Sequence, residues 1–210
     1  SQPWLDGIDG KSRHGTTRPC LMPCACPSEL IFIRMPGFIP YQDMMAIQRE
    51  RRDAVANGHA PDTIYLLQHS PVITAGRDAR PAHILSESSV LRAAGIECVK
   101  AERGGDVTYH GPGQLVAYPI LNLAHWRRAV GWYLRALEEV LIRTVMCFGL
   151  HGERMPGYTG VWVNGAKVAA IGVAIRQWVA WHGIALNVNP DMRHFAHIVP
   201  CGIRDKPPPG

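Results

Sequence analysis

The sequence lacks both a long apolar run and a concentration of charge of one sign. Nowhere in its 210 residues is there a run of about 18 apolar residues, the length that a membrane-spanning helix needs, so no membrane association is expected. Lys and Arg outnumber Asp and Glu by 22 to 17, but the basic residues are dispersed, which argues against nucleic-acid binding. With 47% apolar and 19% charged residues, the composition is that of a globular chain.

Cysteine is also sparse, and its spacing excludes its commonest structural uses. Six cysteines in 210 residues are too few for a small disulfide scaffold. Cys20, Cys24 and Cys26 follow a C-x3-C-x-C spacing, which differs from the C-x2-C pairs of zinc sites. The pattern predicts free thiols in a reducing compartment and no bound metal.

The composition divides the chain into an extension, one domain and a short tail. Residues 1–29 are rich in Gly, Pro, Ser, Thr and Cys and show no period, which predicts a poorly ordered extension. They contain neither a secretory signal nor a clear transit peptide, so we expect a cytoplasmic protein, with a mitochondrion or plastid as the alternative for a eukaryotic source. Residues 30–206 are predicted to form a single domain, and 207–210 a Pro-rich tail. We expect a monomer.

Two segments have the apolar period of an α-helix. Residues 41–55 are followed by the helix-ending pair Asn57-Gly58, and residues 125–148 are followed by Gly149. The apolar stripe predicted for the second helix consists of Val130, Leu134, Leu137, Leu141, Val145 and Phe148.

Short β-rich runs predict strands on both sides of these helices. The first run, 30–34, is expected to end at Pro36-Gly37. Asn164-Gly165 separates two β-rich runs and predicts a type I′ hairpin. Strands in hairpin succession with two long helices indicate an α+β or mixed α/β domain. The other predicted strands are 63–68, 72–75, 115–121, 161–163, 166–175 and 178–188.

The densest polar and Gly-rich stretch is residues 103–114, RGGDVTYHGPGQ. Its glycines would let the backbone approach a ligand, although it matches neither a P-loop nor a dinucleotide-binding motif. An extended segment would place Thr108 and His110 on one face and Val107 and Tyr109 on the other. A turn-rich connection between strands is the alternative, but the shared face of two polar side chains favours a site.

Two further residues are candidates for chemistry. Cys201 lies between Pro200 and Gly202, a turn-like setting that predicts an accessible thiol, although a small buried core residue is the commoner role of a single cysteine. Lys167 is one of only four lysines and lies in an otherwise apolar run, where an outward-facing position is the commoner outcome. An ammonium close to a thiol would lower the pKa of that thiol and produce a nucleophilic thiolate.

Four ordered motifs give the chain a family resemblance. RGGDVTYHGPGQ, GAKVAAIG, WHGIALNVNPD and FAHIVPCG resemble the lipoyl(octanoyl) transferases, over residues 31 to about 206. The resemblance implies an α/β (α+β) fold, the biotin/lipoate protein ligase-type catalytic domain, with a mixed β-sheet flanked by helices. It also implies octanoyl transfer, without a cofactor, from octanoyl-acyl carrier protein to lipoyl domains. The implied acceptors are the E2 subunits of 2-oxoacid dehydrogenases and the glycine cleavage H protein.

The resemblance also implies roles for individual residues. Cys201 corresponds to the residue that forms the acyl-thioester intermediate, and Lys167 to the group that lowers its pKa. In this reading, backbone N–H groups of the Gly-rich stretches stabilise the oxyanion, and His110 is a donor or a positioning group. The implied substrate-binding residues are Arg103, Gly104, Gly105, Asp106, Val107, Thr108, Tyr109, His110, Ala170, Ile171, Gly172, Gly183, Ile184 and Ala185.

Two other functions remain open from the sequence. An ATP-dependent lipoate ligase would share the fold, but the chain has no Lys- and Gly-rich adenylate loop. A non-catalytic or impaired protein that binds acyl carrier or lipoyl domains is suggested by residues 203–210, IRDKPPPG, which replace the Thr-Ser-containing continuation of the family pattern.

Overall fold

The computed structural model describes residues 29–200. The cysteine cluster at residues 20–26, Cys201 and the tail at 207–210 therefore lie outside the described residues, as does all but the last residue of the predicted extension.

Six strands form the larger sheet. They are β1 (Leu30–Ile39), β2 (Asp62–His69), β6 (Gln114–Asn122), β7 (Val161–Val163), β8 (Ala166–Arg176) and β9 (Val179–Asn187). Their spatial order is β1-β2-β6-β9-β8-β7. β1 and β2 run parallel and the other neighbours run antiparallel, so the sheet is mixed. The short β7 pairs only with the beginning of β8, which leaves the rest of β8 without a strand on that side within residues 29–200.

A smaller sheet lies beside the first. Its strands are β3 (Val72–Ala75), β4 (Glu97–Lys100) and β5 (Val107–His110), in the order β4-β3-β5. A tight turn over residues 111–113 connects β5 to β6 and so links the two sheets. Gly113 has φ +85° in this turn, and a Cβ there would lie 2.0 Å from the carbonyl oxygen of Asn189, which requires glycine.

Helices cover both faces of the larger sheet. α1 (Tyr41–Ala56) buries Met44 and Met45 against Tyr118 and Trp181 on one face. α3 (Val130–Met146) packs on the opposite face, where side chains such as Leu141 meet the β7–β9 end of the sheet. The short α2 (Ser88–Ala93) packs near the smaller sheet. Among residues 29–200, no helix is both long enough and apolar enough to cross a bilayer.

The predicted helices are confirmed, although both ends of the second one differ from the prediction. α1 matches the prediction closely, whereas α3 begins five residues later than expected, after a 3-10 turn over Leu123–His125. Leu137, Leu141 and Val145 of the predicted stripe are buried. Val130 and Phe148 are 46% and 79% exposed, because Phe148 follows the end of the helix and Val130 lies in its first turn.

The predicted strands are confirmed, except for the end of the first one. β1 continues through Pro36 and Gly37 to Ile39, because pairing with β2 resumes after a register shift between Arg34 and Phe38. The irregularity accommodates the proline, with Gly37 at φ +72°. The type I′ hairpin is also confirmed, since Asn164 and Gly165 have φ of 51° and 80°. The sequence did not predict α2 or β4.

Candidate active site

A cavity of about 390 Å³ collects most of the predicted substrate-binding residues. Three segments distant in sequence meet there: the loop before β5 together with β5 itself, the middle of β8, and β9. Lys167 also lines it. The predicted residues at this cavity are Arg103, Gly104, Gly105, Asp106, Thr108, His110, Ala170, Ile171, Gly172, Gly183, Ile184 and Ala185.

The cavity walls differ in polarity. Val130 and Leu134 of α3 contribute to an apolar wall, together with Ile171 and Ile184. A second, polar wall consists of phenol rings, imidazole rings and one guanidinium. Its residues are Tyr41, Arg103, His110, Tyr118 and His182.

Strand β5 separates its side chains into two faces. Thr108 and His110 line the cavity, as the alternation of the sequence indicates. Val107 and Tyr109 lie on the other face and are absent from the cavity lining. They pack in a core cluster with Phe195 of the 3-10 helix over Met192–His197. The Tyr109 hydroxyl also hydrogen-bonds His194 Nδ1 at 2.7 Å, so this face of β5 supports the segment that leads to Pro200.

The glycine-rich loop is held by its own backbone and side-chain contacts. Gly104 N–H donates to Val173 O on the open side of β8 at 2.9 Å, and Gly105 N–H donates to Asp78 Oδ2 at 2.9 Å. These two amides are therefore already engaged, which disfavours the expectation that they stabilise an oxyanion. Asp106 contacts His83 and accepts a hydrogen bond from the amide of Val107 at 2.8 Å.

Arg103 connects this loop to the smaller sheet. Its guanidinium donates to Thr74 O at 2.7 Å and to Thr74 Oγ1 at 2.8 Å. A Cβ on Gly172 would lie 3.0 Å from Arg103 Cδ and 3.2 Å from Gly104 O. The predicted glycine of β8 is therefore explained by the close approach of Arg103.

His110 has a defined tautomer. Gln114 Nε2 donates to Tyr109 O at 3.3 Å, which orients the amide so that Gln114 Oε1 accepts from His110 Nδ1–H at 2.6 Å. Nδ1 then carries the proton and Nε2 the lone pair. Burial and nearby positive charge lower the pKa of His110 to about 3. His110 is therefore neutral, and its Nε2 accepts rather than donates.

A second histidine fixes the orientation of Tyr118. His69 Nδ1–H donates to Ile39 O at 2.8 Å, which leaves Nε2 to accept from the Tyr118 hydroxyl at 2.7 Å. Burial lowers the pKa of His69 to about 4 and raises the pKa of Tyr118 well above its ordinary value. Tyr41 stacks parallel to His110, with ring centroids 6.3 Å apart.

His182 is not among the predicted site residues, although it directly precedes Gly183. It is 1% exposed and lines the cavity. Burial and the Arg103 guanidinium lower its pKa to about 3. Within residues 29–200, neither ring nitrogen of His182 has a hydrogen-bond partner, and the same holds for the hydroxyl of Tyr41. The sequence Trp181-His182-Gly183 could have indicated this residue, because it places a histidine directly before the predicted binding segment that begins at Gly183.

Lys167 extends between an aromatic ring and a glycine. Its Nζ lies 5.2 Å from the centre of the Trp162 ring, within the range of a cation–π contact. A Cβ on Gly160 would lie 2.7 Å from Lys167 Cε and 2.5 Å from Ala169 O. Gly160, with φ +141°, therefore provides the space through which this side chain passes.

The segment that leads to Cys201 ends beside Lys167. A small cavity of about 20 Å³ adjoins the large one, and Lys167, Ala185 and Pro200 all line it. Residues 83–85 hold this segment in place, through hydrogen bonds from Val199 N–H to His83 O and from Leu85 N–H to His197 O, each 2.8 Å long. Cys201 itself lies outside the described residues. Residues 29–200 contain no group of three or more His, Cys, Asp or Glu that could hold a metal ion.

The fold and this cavity define a class of protein. Residues 40–207 match the model of the lipoyl protein ligase A/B catalytic domain family. Among solved structures, a lipoate-protein ligase A bound with ATP superposes with a TM-score of 0.62 at 14% identity, covering 82% of this chain and 71% of that one. A bipartite lipoate protein ligase from Thermoplasma acidophilum gives 0.61 at 16% identity, covering 82% and 66%. At these identities the structures support the shared fold alone.

Curated relatives narrow the class. The octanoyltransferase of Thermosynechococcus vestitus is 51% identical over 175 residues, covering 81% of this chain and 75% of the relative. That of Gloeobacter violaceus is 49% identical over 169 residues, covering 80% and 74%. The chain belongs to the octanoyltransferases of the lipoyl protein ligase A/B catalytic domain family.

Proposed function

We propose that this chain transfers an octanoyl group from octanoyl-acyl carrier protein to a lysine of a lipoyl domain, through a thioester on Cys201. The observation that carries the proposal is the junction of the two cavities. Lys167 lines both of them, and Pro200, which directly precedes Cys201 in the sequence, lines the smaller one. We propose this junction as the place where thiol, amine and acyl group meet.

The first half-reaction transfers the acyl group to the protein. The Cys201 thiolate attacks the thioester carbon of the donor, and the C–S bond to the carrier breaks. The Lys167 ammonium stabilises the thiolate beforehand and gives its proton to the departing carrier thiolate. Thr108 lines both cavities, so we propose its hydroxyl as a donor to the oxyanion.

The second half-reaction forms the amide. The neutral amine of the acceptor lysine attacks the Cys201 thioester, and the C–S bond breaks as the C–N bond forms. The amine proton passes to Lys167, which restores the ammonium–thiolate pair. The apolar wall that includes Leu134, Ile171 and Ile184 would hold the hydrocarbon chain throughout. The E2 subunits of 2-oxoacid dehydrogenases and the glycine cleavage H protein are the proposed acceptors.

The test is the mass of the full-length chain after incubation with octanoyl-acyl carrier protein alone. We expect one octanoyl group on the protein, released by hydroxylamine, and its transfer to an added lipoyl domain. Cys201→Ser should abolish the adduct. Cys147→Ser is the matched control, because it makes the same change at a free and exposed cysteine that lines neither cavity.

The outcomes separate the remaining alternatives. An adduct that persists in Cys201→Ser would overturn the nucleophile. Transfer from free octanoate that requires ATP and Mg²⁺ would indicate a ligase. Binding of the carrier without any adduct, when both Cys201 and Lys167 are intact, would indicate a non-catalytic binding protein.

The role of Lys167 is tested through pH dependence. In Lys167→Met the thiol loses its neighbouring ammonium, so we expect alkylation of Cys201 by iodoacetamide to shift to higher pH by about one unit or more. A profile unchanged in Lys167→Met would contradict the assignment. Alkylation of Cys147, followed in the same sample, provides the internal control.

A further inference from the structure

His182 interrupts strand β9. It has φ +56°, in the left-handed region that a non-glycine residue rarely adopts within a strand. The register, which pairs Ala117 with Ile184 and Leu121 with Ala180, places Pro119 opposite His182. Proline has no N–H to give to the ladder. The N–H of His182 in turn donates to Gln48 Oε1 of α1, at 2.8 Å.

The interruption changes the direction of the His182 ring. His182 pairs with Val173, whose side chain packs with the α3 cluster, so regular alternation would point the ring toward α3. The ring instead stacks on Trp181, with centroids 4.3 Å apart, and meets the Tyr118 ring edge-on at 6.4 Å. Trp181 and Tyr118 both belong to the core cluster under α1. The left-handed residue thus brings the imidazole to the polar wall of the cavity.

This placement leaves buried polar atoms without partners. A neutral imidazole has one N–H donor and one acceptor nitrogen, and neither is satisfied within residues 29–200. The hydroxyl of Tyr41, on the same wall, is also buried and unsatisfied. Buried polar groups that lack partners are costly, and a bound group that supplies the missing hydrogen bonds would recover this cost.

The position of His182 along β9 fits the length of an acyl chain. Ala185 lines the small cavity with Pro200 and so marks the thiol end of the site. His182 is three residues away, about 10 Å at roughly 3.3 Å per strand residue. An extended eight-carbon chain spans about 9 Å, given C–C bonds of about 1.5 Å. A chain that starts beside Ala185 and follows β9 would therefore end at His182.

We infer that His182 forms the distal wall of the acyl cavity and offers hydrogen-bonding groups to the far end of the bound acyl chain. The inference rests on the proposed function. The ring limits the chain to about eight carbons. Its nitrogens favour an acyl chain with a hydroxyl group at the far end over a hydrocarbon chain of the same number of atoms.

Two variants separate the ring from the backbone. His182→Gly removes the ring and also relieves the left-handed torsion, so the variant is expected to fold. His182→Asn keeps polar atoms on a shorter side chain and also tolerates this torsion. His151→Gly is the matched control, because the His151 side chain is 88% exposed and does not line the cavity.

The experiment measures kcat/KM for acylation of the full-length chain by four pantetheine thioesters. Octanoyl and dodecanoyl test length, and nonanoyl and 8-hydroxyoctanoyl form a pair with equal numbers of non-hydrogen atoms. In His182→Gly we expect the dodecanoyl-to-octanoyl ratio to rise by about tenfold or more, and the 8-hydroxyoctanoyl-to-nonanoyl ratio to fall by about tenfold. His182→Asn should show the same rise in the first ratio and a smaller fall in the second, and His151→Gly should change neither.

Each contrary result has a separate meaning. If both ratios in His182→Gly equal those of the unmodified protein, the inference is overturned. If only the dodecanoyl-to-octanoyl ratio changes, His182 limits the chain length as inferred, but its hydrogen-bonding role is overturned. If the unmodified protein forms no octanoyl adduct with any donor, the proposed function fails instead.

Discussion

Gly183 lies where two strands leave no room for a side chain. A Cβ there would be 2.2 Å from Ala117 O and 2.5 Å from Pro119 Cδ. Both neighbours belong to the backbone or to a proline ring of β6, so neither can move as a flexible side chain would. Because Gly183 must remain a glycine, the residue that directly follows His182 in β9 has no side chain.

We predict that Gly183→Ala lowers the free energy of unfolding by about 1–3 kcal/mol, because the added methyl group overpacks the β6–β9 contact. Gly131→Ala is the control. In α3 nothing lies within 4 Å of the added Cβ, so that variant should be neutral or stabilising by up to about 1 kcal/mol. Urea unfolding of both variants gives the comparison, and equal stabilities would contradict the steric explanation.

At the scale of elements, Gln48 joins α1 to the interrupted strand β9. Its side chain is fully buried, and its Oε1 accepts the N–H of His182. This hydrogen bond gives a buried backbone N–H of β9 an acceptor on α1. The helix therefore satisfies a backbone group of the sheet that it covers.

We predict that Gln48→Leu destabilises the protein by about 1–3 kcal/mol, since it leaves the buried amide of His182 without an acceptor. Gln42→Leu makes the same chemical change at an exposed position of the same helix and should cost less than about 0.5 kcal/mol. Urea unfolding measures both. A cost for Gln48→Leu no larger than that for Gln42→Leu would show that the amide finds another partner.

Glu138 connects α3 to the loop that lines the cavity. It is 1% exposed, and its carboxylate accepts hydrogen bonds from Arg135 at 2.6 Å, Arg154 at 3.1 Å and the amide of Gly160 at 3.4 Å. Gly157, Tyr158 and Thr159, which line the cavity, lie between these last two contacts in the chain. The helix thereby positions the loop next to Lys167.

We predict that Glu138→Ala destabilises the protein by about 1.5–3 kcal/mol and reduces octanoyl transfer, because it removes charge-assisted hydrogen bonds from a buried position. Glu139→Ala is the control. Its carboxylate also pairs with Arg154, at 2.7 Å, but it is 42% exposed, and such surface pairs contribute little. Unfolding free energies and initial transfer rates distinguish the two. Similar losses in both variants would contradict the anchoring role.

Local patterns predicted the elements that depend on near neighbours. Asn164-Gly165 predicted its hairpin because the required torsions belong to those two residues. Pro36 wrongly predicted the end of the first strand, because β1 continues by pairing with residues of β2 that lie about 30 positions further along the chain. Glu138 occupies a core-facing helical position next to Leu137, but only the structure supplies its partner Arg154.

At the scale of the whole molecule, the motifs predicted which segments converge but not how they are arranged. The cavity is lined by segments around His110, Ala170 and Gly183, as their shared resemblance implied. The left-handed backbone of His182 lies opposite Pro119 and donates its N–H to Gln48, and these two residues are 63 and 134 positions away in the chain. Contacts between residues so far apart in the chain cannot be predicted from the periodicity of a short stretch of sequence.

Three buried histidines give the molecule a common dependence on pH. Burial lowers the pKa of His69 to about 4, and that of His110 and of His182 to about 3. In the unfolded chain each would titrate near about 6.5. Between these values the unfolded state binds more protons than the folded state, so stability must rise with pH across this window.

We predict that the free energy of unfolding is constant with respect to these groups above pH of about 6.5 and falls as the pH drops toward about 4. Each histidine contributes up to about 1.4 kcal/mol per pH unit, so the three together contribute up to about 4 kcal/mol per unit. Because a domain is stable by only about 5–15 kcal/mol, the loss should be visible well above the range where carboxylates titrate. Urea unfolding at pH 7.5, 6 and 5 measures the slope.

The variants identify the groups responsible for this slope. His182→Gly should reduce it by about one third, since one of three similar groups is removed. His151→Gly should leave it unchanged, because that side chain is 88% exposed. A stability that does not change between pH 7.5 and 5 would mean that the three imidazoles can be protonated in the folded protein. In that case the polar wall of the cavity must be open to water, and the cost assigned to its unpartnered nitrogens would be far smaller.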